Sequence, residues 1–158
     1  MLSKLNAPGF GILAQEAPDQ RFLLYWLYYY FNRHVGEWAL ATEGTAPFHQ
    51  PQQAADRAQF SGPLTPALVT LSKDERELYL VIANGSWTQS VPCCMHLRNF
   101  AATRATGVLL TQDKLDGAPL LDRKEDAVKD FPVVCAGDDV TCTLPPHSVV
   151  FVTLERGK

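Results

Sequence analysis

The segment SVVFVTLE, Ser148 to Glu155, places the strongest constraint on what this chain can fold into. A β-strand sends alternate side chains to opposite faces, so Val149, Phe151 and Thr153 point one way while Val150, Val152 and Leu154 point the other. Neither face is plainly polar, whereas a strand with one solvated face alternates apolar with polar. Such a strand needs a layer above it and another below it. Pro145 and Pro146 set an extended approach and prevent earlier ladder pairing, and His147 and Ser148 turn the chain into the strand. The segment is architectural, and none of its residues is a candidate for chemistry.

A cover for one of those faces is legible near the other end of the chain. The run FLLYWLYYYF, Phe22 to Phe31, is preceded by Pro18 and Asp19 as a helix start signal and followed by Gly36 as a left-handed stop. Arg33 and His34 fall in the last turn, where the helix dipole favours cations. The pattern predicts a helix over about 20–35. Its apolar residues run all the way round, which requires burial on more than one side. A sandwich can cover one side, leaving the remainder for a partner or a second copy of the chain. The run is about half the length that crosses a bilayer, so no membrane span is expected. The opening MLSKLNAPGFG has one Lys and no apolar core of signal-peptide length, so a soluble chain with no visible export address is expected, its compartment unassigned.

From Glu37 onward the pattern changes to short strands separated by turn signals. EWALAT is a short strand, HQPQQAADRAQFSGP is an irregular polar connection, and PALVTLS and ELYLVIA form a meander around the charged turn KDER. Asn84-Gly85 is a tight-turn signal leading into a strand over about 87–98, in which Pro92 argues for a sheet edge or a bulge. TRATGVLLTQ, a charged crossing segment DKLDGAPLLDRKEDAVKD, and the strands FPVVCA, DVTCTL and SVVFVTLE complete the order. The fold class is mainly β: an antiparallel Greek-key or jelly-roll-like sandwich of about eight strands with one N-terminal helix packed on it. The division falls at 1–36, N-terminal segment and aromatic helix, and 37–158, sandwich.

Few residues suggest chemistry. A net charge of -3, with 14 Lys and Arg scattered along the chain, gives no basic field for nucleic acid. Acid-base hydrolysis needs two carboxylates on rigid elements across a cleft. The 17 Asp and Glu fall almost entirely in turns and in the crossing segment, where they read as solvated loop charge. His34, His49, His96 and His147 are too dispersed for a metal cluster, and no EF-hand spacing, P-loop, nucleophile elbow or dinucleotide fingerprint occurs. No catalytic residue, metal ligand or cofactor is assigned. Vicinal Cys93 and Cys94 point to opposite faces of a strand. Cys135 and Cys142 read either as small buried hydrophobes or, across a hairpin turning between Asp138 and Asp139, as a disulfide. Trp87 follows a turn and is open to two roles, core packing or a stacking platform for a sugar ring. Asn84-Gly85-Ser86 matches a glycosylation sequon, but its turn chemistry accounts for it without a sugar.

Taken in order, YYYFNRHVGEWAL, LYLVIANGSWTQSV, TGVLLTQDKLDGAP and VTCTLPPHSVVFVTLERG resemble the C-terminal region of α-L-arabinofuranosidase-type retaining glycoside hydrolases. In that family the last helix of a (β/α)8 barrel leads into a β-sandwich ending in a Leu-Pro-Pro-x-Ser-Val motif. The resemblance spans about 22–156, with TLPPHSVVFVTL its most specific part. It implies an accessory sandwich plus the last barrel helix, with a glycosidase barrel as partner in cis or as a separate subunit. It implies no catalytic residue, because the family's catalytic glutamates lie on the barrel and the barrel's Asn-Glu dipeptide is absent here. The alternative is a carbohydrate-binding module using Trp87 and neighbouring aromatics, with polysaccharide as its ligand. The Cys93-Cys94 strand with Pro92 and the charged crossing segment depart from the family pattern.

Overall fold

The structure, a computed structural model, describes residues 23–49, 62–111 and 128–157. Helix α1 (Leu23–Phe31) is followed by β1 (Trp38–Ala39), β2 (Phe48–His49), β3 (Gly62–Pro63), β4 (Ala67–Leu71), β5 (Glu77–Asn84) and β6 (Val91–His96). Then come β7 (Ala102–Leu110), β8 (Val128–Asp130), β9 (Val134–Ala136), β10 (Asp139–Leu144) and β11 (Ser148–Arg156). A six-stranded antiparallel sheet has the order β1-β4-β5-β11-β7-β8, a three-stranded one β6-β10-β9, and β2 pairs with β3 alone. The helix start signal at Pro18 and Asp19, most of the polar connection and most of the charged crossing segment lie outside the described residues. The two ends of the polar connection pair as the β2-β3 ribbon, with Phe48 opposite Pro63.

The closing strand sits where its two apolar faces require. β11 lies between β5 and β7, antiparallel to both, with Val152 opposite Leu80 on one side and Gly107 on the other. On its inner face Val150, Val152 and Leu154 are fully buried and join Leu78, Leu80 and Ile82 of β5. Val140 and Leu144 from β10 close this core from the smaller sheet. On its outer face Phe151 is fully buried with Leu110 beneath Trp26 and Tyr30 of α1. The Tyr30 and Phe151 ring centroids are 5.7 Å apart. Burying one such aromatic or aliphatic side chain contributes about 1.5–3 kcal/mol, so the helix is a true third layer.

The helix stop differs from the sequence expectation. α1 ends at Phe31, and the chain closes with turns in which Asn32 N–H donates to the Tyr28 carbonyl and Arg33 N–H to the Tyr30 carbonyl. The Arg33 guanidinium and His34 Nδ1 donate to the carbonyls of Tyr29 and Tyr30 at the helix C-terminus, at 3.3 and 2.8 Å. Gly36 is not a left-handed cap, because Gly137 is the positive-φ glycine among the described residues. It is a glycine for a different reason: a Cβ there would lie 2.3 Å from the Leu71 carbonyl oxygen. Its N–H donates to Thr70 Oγ1 at 2.8 Å, which ties the helix exit to β4.

Asn84-Gly85 is a second correction. It does not close a hairpin, since β5 already has β4 and β11 on its two sides and the next strand must leave the sheet. The chain crosses instead to β6 in the smaller sheet, beginning at Val91 rather than near residue 87. Asn84 is buried at 2% exposure and directs the crossing. Its Oδ1 accepts from the Ser86 N–H at 2.9 Å, and its Nδ2 lies 2.9, 3.1 and 2.9 Å from the carbonyls of Gln89, Leu144 and Pro145. One amide thus ties together two of the places where the chain crosses between sheets, β5 to β6 and β10 to β11. β6 is an edge strand, the position that Pro92 requires.

Candidate functional site

The outer side of α1 is the first surface to consider. Trp26 and Tyr30 face the sheet, while Leu24, Tyr28 and Phe31, at i, i+4 and i+7, form a stripe on the opposite side. These three are 36, 48 and 38% exposed, and Val35 beyond the helix end is exposed as well. The all-round apolar character read in the sequence therefore resolves into one covered face and one open face. The stripe itself was hidden in the sequence, because in a helix where nearly every position is apolar no periodicity marks which ones look outward.

Trp87 stands at one end of the sandwich, in the crossing from β5 to β6, with 71% of its surface exposed. Its neighbour Ser86 accepts from the His147 N–H at 2.8 Å, which anchors the crossing against the turn before β11. His147 occupies a left-handed backbone position (φ 39°) and its Nδ1 is buried without a partner among the described residues. Trp38 and Phe48 are also exposed, whereas Trp26 is core.

Among the described residues polar groups do not converge. A shallow concavity of about 390 Å³ is lined by Val35, Gly36, Glu37, Ser72, Lys73 and Tyr79. It holds one carboxylate, Glu37, where glycoside hydrolysis requires two. Tyr79 donates from its hydroxyl to Glu77, and partial burial together with that carboxylate pushes its pKa up to about 12. His34 packs on Phe151, and exposed His96 pairs with Asp139 at 2.9 Å. Among the described residues no three His, Cys, Asp or Glu side chains gather as a metal site. No described helix is long and apolar enough to cross a membrane.

The register of the β9–β10 hairpin does not set Cys135 opposite Cys142, as the disulfide alternative requires. The β9–β10 hairpin turns at Gly137 and Asp138, with Ala136 opposite Asp139, so Cys135 faces Val140 rather than Cys142. Gly137 takes the left-handed conformation (φ 63°) that this two-residue turn demands, which fixes the register. Cys142 faces Cys93 on β6. All four thiols are free. A hydrogen bond from the Cys142 thiol lowers Cys93 to about 7 against the opposing effect of burial, and the same contact with burial pushes Cys142 up. Burial also raises Cys135. Pairing between strands so far apart in sequence leaves no local signal.

No family model matches the chain, and no curated protein gives a significant match. Solved structures do match it. An α-L-arabinofuranosidase from Thermotoga maritima in an arabinose complex superposes with a TM-score of 0.60 at 16% identity, over 78% of this chain and 27% of that one. A family 51 arabinofuranosidase from Xanthomonas axonopodis pv. citri gives 0.56 at 18% identity, over 69% of this chain and 21% of that one. The family 51 α-L-arabinofuranosidase AbfB from Bifidobacterium longum gives 0.54 at 19% identity, over 70% and 21%. The chain has the fold of one part of an arabinofuranosidase. At these identities the likeness is one of fold, and the chain spans between 21% and 27% of the length of the three structures. The arabinofuranosidase-like sandwich thus matches the resemblance read from TLPPHSVVFVTL and the segments before it.

Proposed function

We propose that this chain is a non-catalytic accessory sandwich of an arabinofuranosidase-type glycoside hydrolase, docking a catalytic barrel in cis or as a separate subunit through the outer face of α1. The observation that carries this reading is the stripe of Leu24, Tyr28 and Phe31 on a helix whose other side is already buried. Contiguous apolar surface on a helix marks a contact face. On this reading residues 1–36 belong to the barrel-facing element and 37–158 to the sandwich. The direct test mixes the purified chain with the barrel of an α-L-arabinofuranosidase produced without its own sandwich, followed by sedimentation. A complex that is lost in a Leu24→Lys/Tyr28→Lys variant of unchanged melting temperature is expected. A monomer that leaves the barrel unbound would overturn the reading, and so would hydrolysis of aryl arabinofuranosides by the chain alone.

A second reading rests on Trp87, whose exposure is the highest of the large apolar side chains among the described residues. An indole held that far into solvent at the end of a rigid sandwich can stack on a sugar face. Arabinan and arabinoxylan fragments should then quench tryptophan fluorescence in the wild-type chain but not in Trp87→Ala. Absence of any response at millimolar sugar removes this reading.

A further inference from the structure

We propose that Cys93 and Cys142 are a paired oxidation site, at which a low-molecular-weight disulfide such as oxidised glutathione converts the two thiols into a cross-strand bridge joining β6 to β10. The register places these residues directly opposite one another. The Leu97 N–H donates to the Asp138 carbonyl at 2.7 Å, and antiparallel pairs alternate, so Cys93 and Cys142 fall at a hydrogen-bonded position of the same ladder. Such pairs have Cα atoms about 5.5 Å apart, inside the range of about 4.4–6.8 Å that a disulfide spans. Both side chains point inward and pack against the main core beside Met95 and Val140, so they share a face. The other two thiols lack this arrangement. Cys94 is exposed opposite Thr141, and Cys135 faces Val140. Among the described residues β6 is an edge strand with no strand on its other side, which leaves it room for the small adjustment that bond formation needs.

The chemistry balances with that one oxidant. The Cys93 thiolate attacks a sulfur of the reagent, breaking its S–S bond, forming a mixed disulfide and releasing one thiolate. Cys142 gives its proton to water, and its thiolate attacks Cys93 Sγ, forming the protein bridge and releasing the second thiolate. Two protein thiols are oxidised, one disulfide is reduced to two thiols, and two protons are conserved on the products. The hydrogen bond from Cys142 favours ionisation of Cys93 as the first attacking group, while Cys142, whose own ionisation is opposed, is suited to the second step.

The test oxidises the full chain with oxidised glutathione and reads intact mass, then repeats this on substituted chains. The wild type should lose two hydrogens without retaining glutathione. The Cys94→Ser/Cys135→Ser variant should behave identically, whereas Cys93→Ser and Cys142→Ser should not. Because the loop closed by the bridge is long, reduction should lower the melting temperature of the oxidised chain by about 10 °C. The double variant keeps only the proposed partners, so it decides the matter even if a single variant fails to fold. Retained glutathione with no loss of hydrogen, a bridge that persists in Cys93→Ser, or one absent from the double variant overturns the proposal.

Discussion

Replacing Asn84 by Ala should be among the most damaging single changes available in this molecule. The amide is 2% exposed and serves three carbonyls through Nδ2, those of Gln89, Leu144 and Pro145, while Oδ1 accepts from the Ser86 N–H. Two Nδ2 protons cannot fully satisfy three acceptors, so we count two bonds there and one at Oδ1. At about 1 kcal/mol each these sum to ~3 kcal/mol, and the buried Leu144 carbonyl, left without its partner, adds about 1 kcal/mol more. Urea unfolding followed by tryptophan fluorescence should show this as a lower midpoint with an unchanged slope, because the surface exposed on unfolding is the same. Asn84→Asp sharpens the test. The new carboxylate would set an oxygen against the carbonyls that Nδ2 now serves, so at neutral pH this variant should be less stable than Asn84→Ala. Burial and those oxygens would raise its folded-state pKa above the ordinary value of about 3.9. Between the two pKa values the folded state then binds more protons than the unfolded, so stability is greatest below about pH 3.9 and falls as pH rises through the folded value. A loss under about 1 kcal/mol for Asn84→Ala, or a pH-independent Asn84→Asp, would refute the account of this residue as the tie between the two crossings.

Two further outcomes follow from the packing. Gly36→Ala would drive a methyl to within 2.3 Å of the Leu71 carbonyl oxygen, so thermal unfolding should show a loss of about 1–3 kcal/mol, while Gly44→Ala, with nothing within 4 Å, should show none. Tyr79, held up to about 12 by burial and by its bond to Glu77, keeps its proton in the folded chain after an unfolded tyrosine has lost it near 10. Stability should therefore fall as pH rises from about 10 towards 12, and Tyr79→Phe should flatten that part of a urea-midpoint profile against pH.

What the sequence made legible was what period and composition encode. The alternation through Val149–Leu154 identified a strand buried on both faces, the aromatic run identified the helix above it, and Pro92 marked an edge or a bulge, of which the structure has the edge. What it did not show were choices made between distant parts of the chain. Asn84-Gly85 has the local chemistry of a hairpin, but whether the next strand pairs back depends on β11, which already occupies the other side of β5. Gly36 looks like a left-handed cap until the Leu71 backbone is seen pressing against it. A bridge between Cys142 and Cys135 was one of two alternatives open in the sequence, but a turn at Gly137 and Asp138 gives Cys135 to Val140, and β6 supplies Cys93. Of the candidate surfaces, Trp87 was visible because a turn precedes it. The Leu24, Tyr28 and Phe31 stripe had to wait for the fold to declare which side of the helix was covered.

The central place of β11 also dictates an order of assembly. It pairs with β5 and β7 along nearly its whole length, joining residues as distant as Leu78 and Leu154. Both neighbours are synthesised first, and until β11 slides between them each carries an unpaired edge facing the gap. The large sheet cannot zip outward from a local hairpin at its centre. Its middle is completed last, through loop closures that make folding slow and leave two exposed strand edges open to other chains in the meantime.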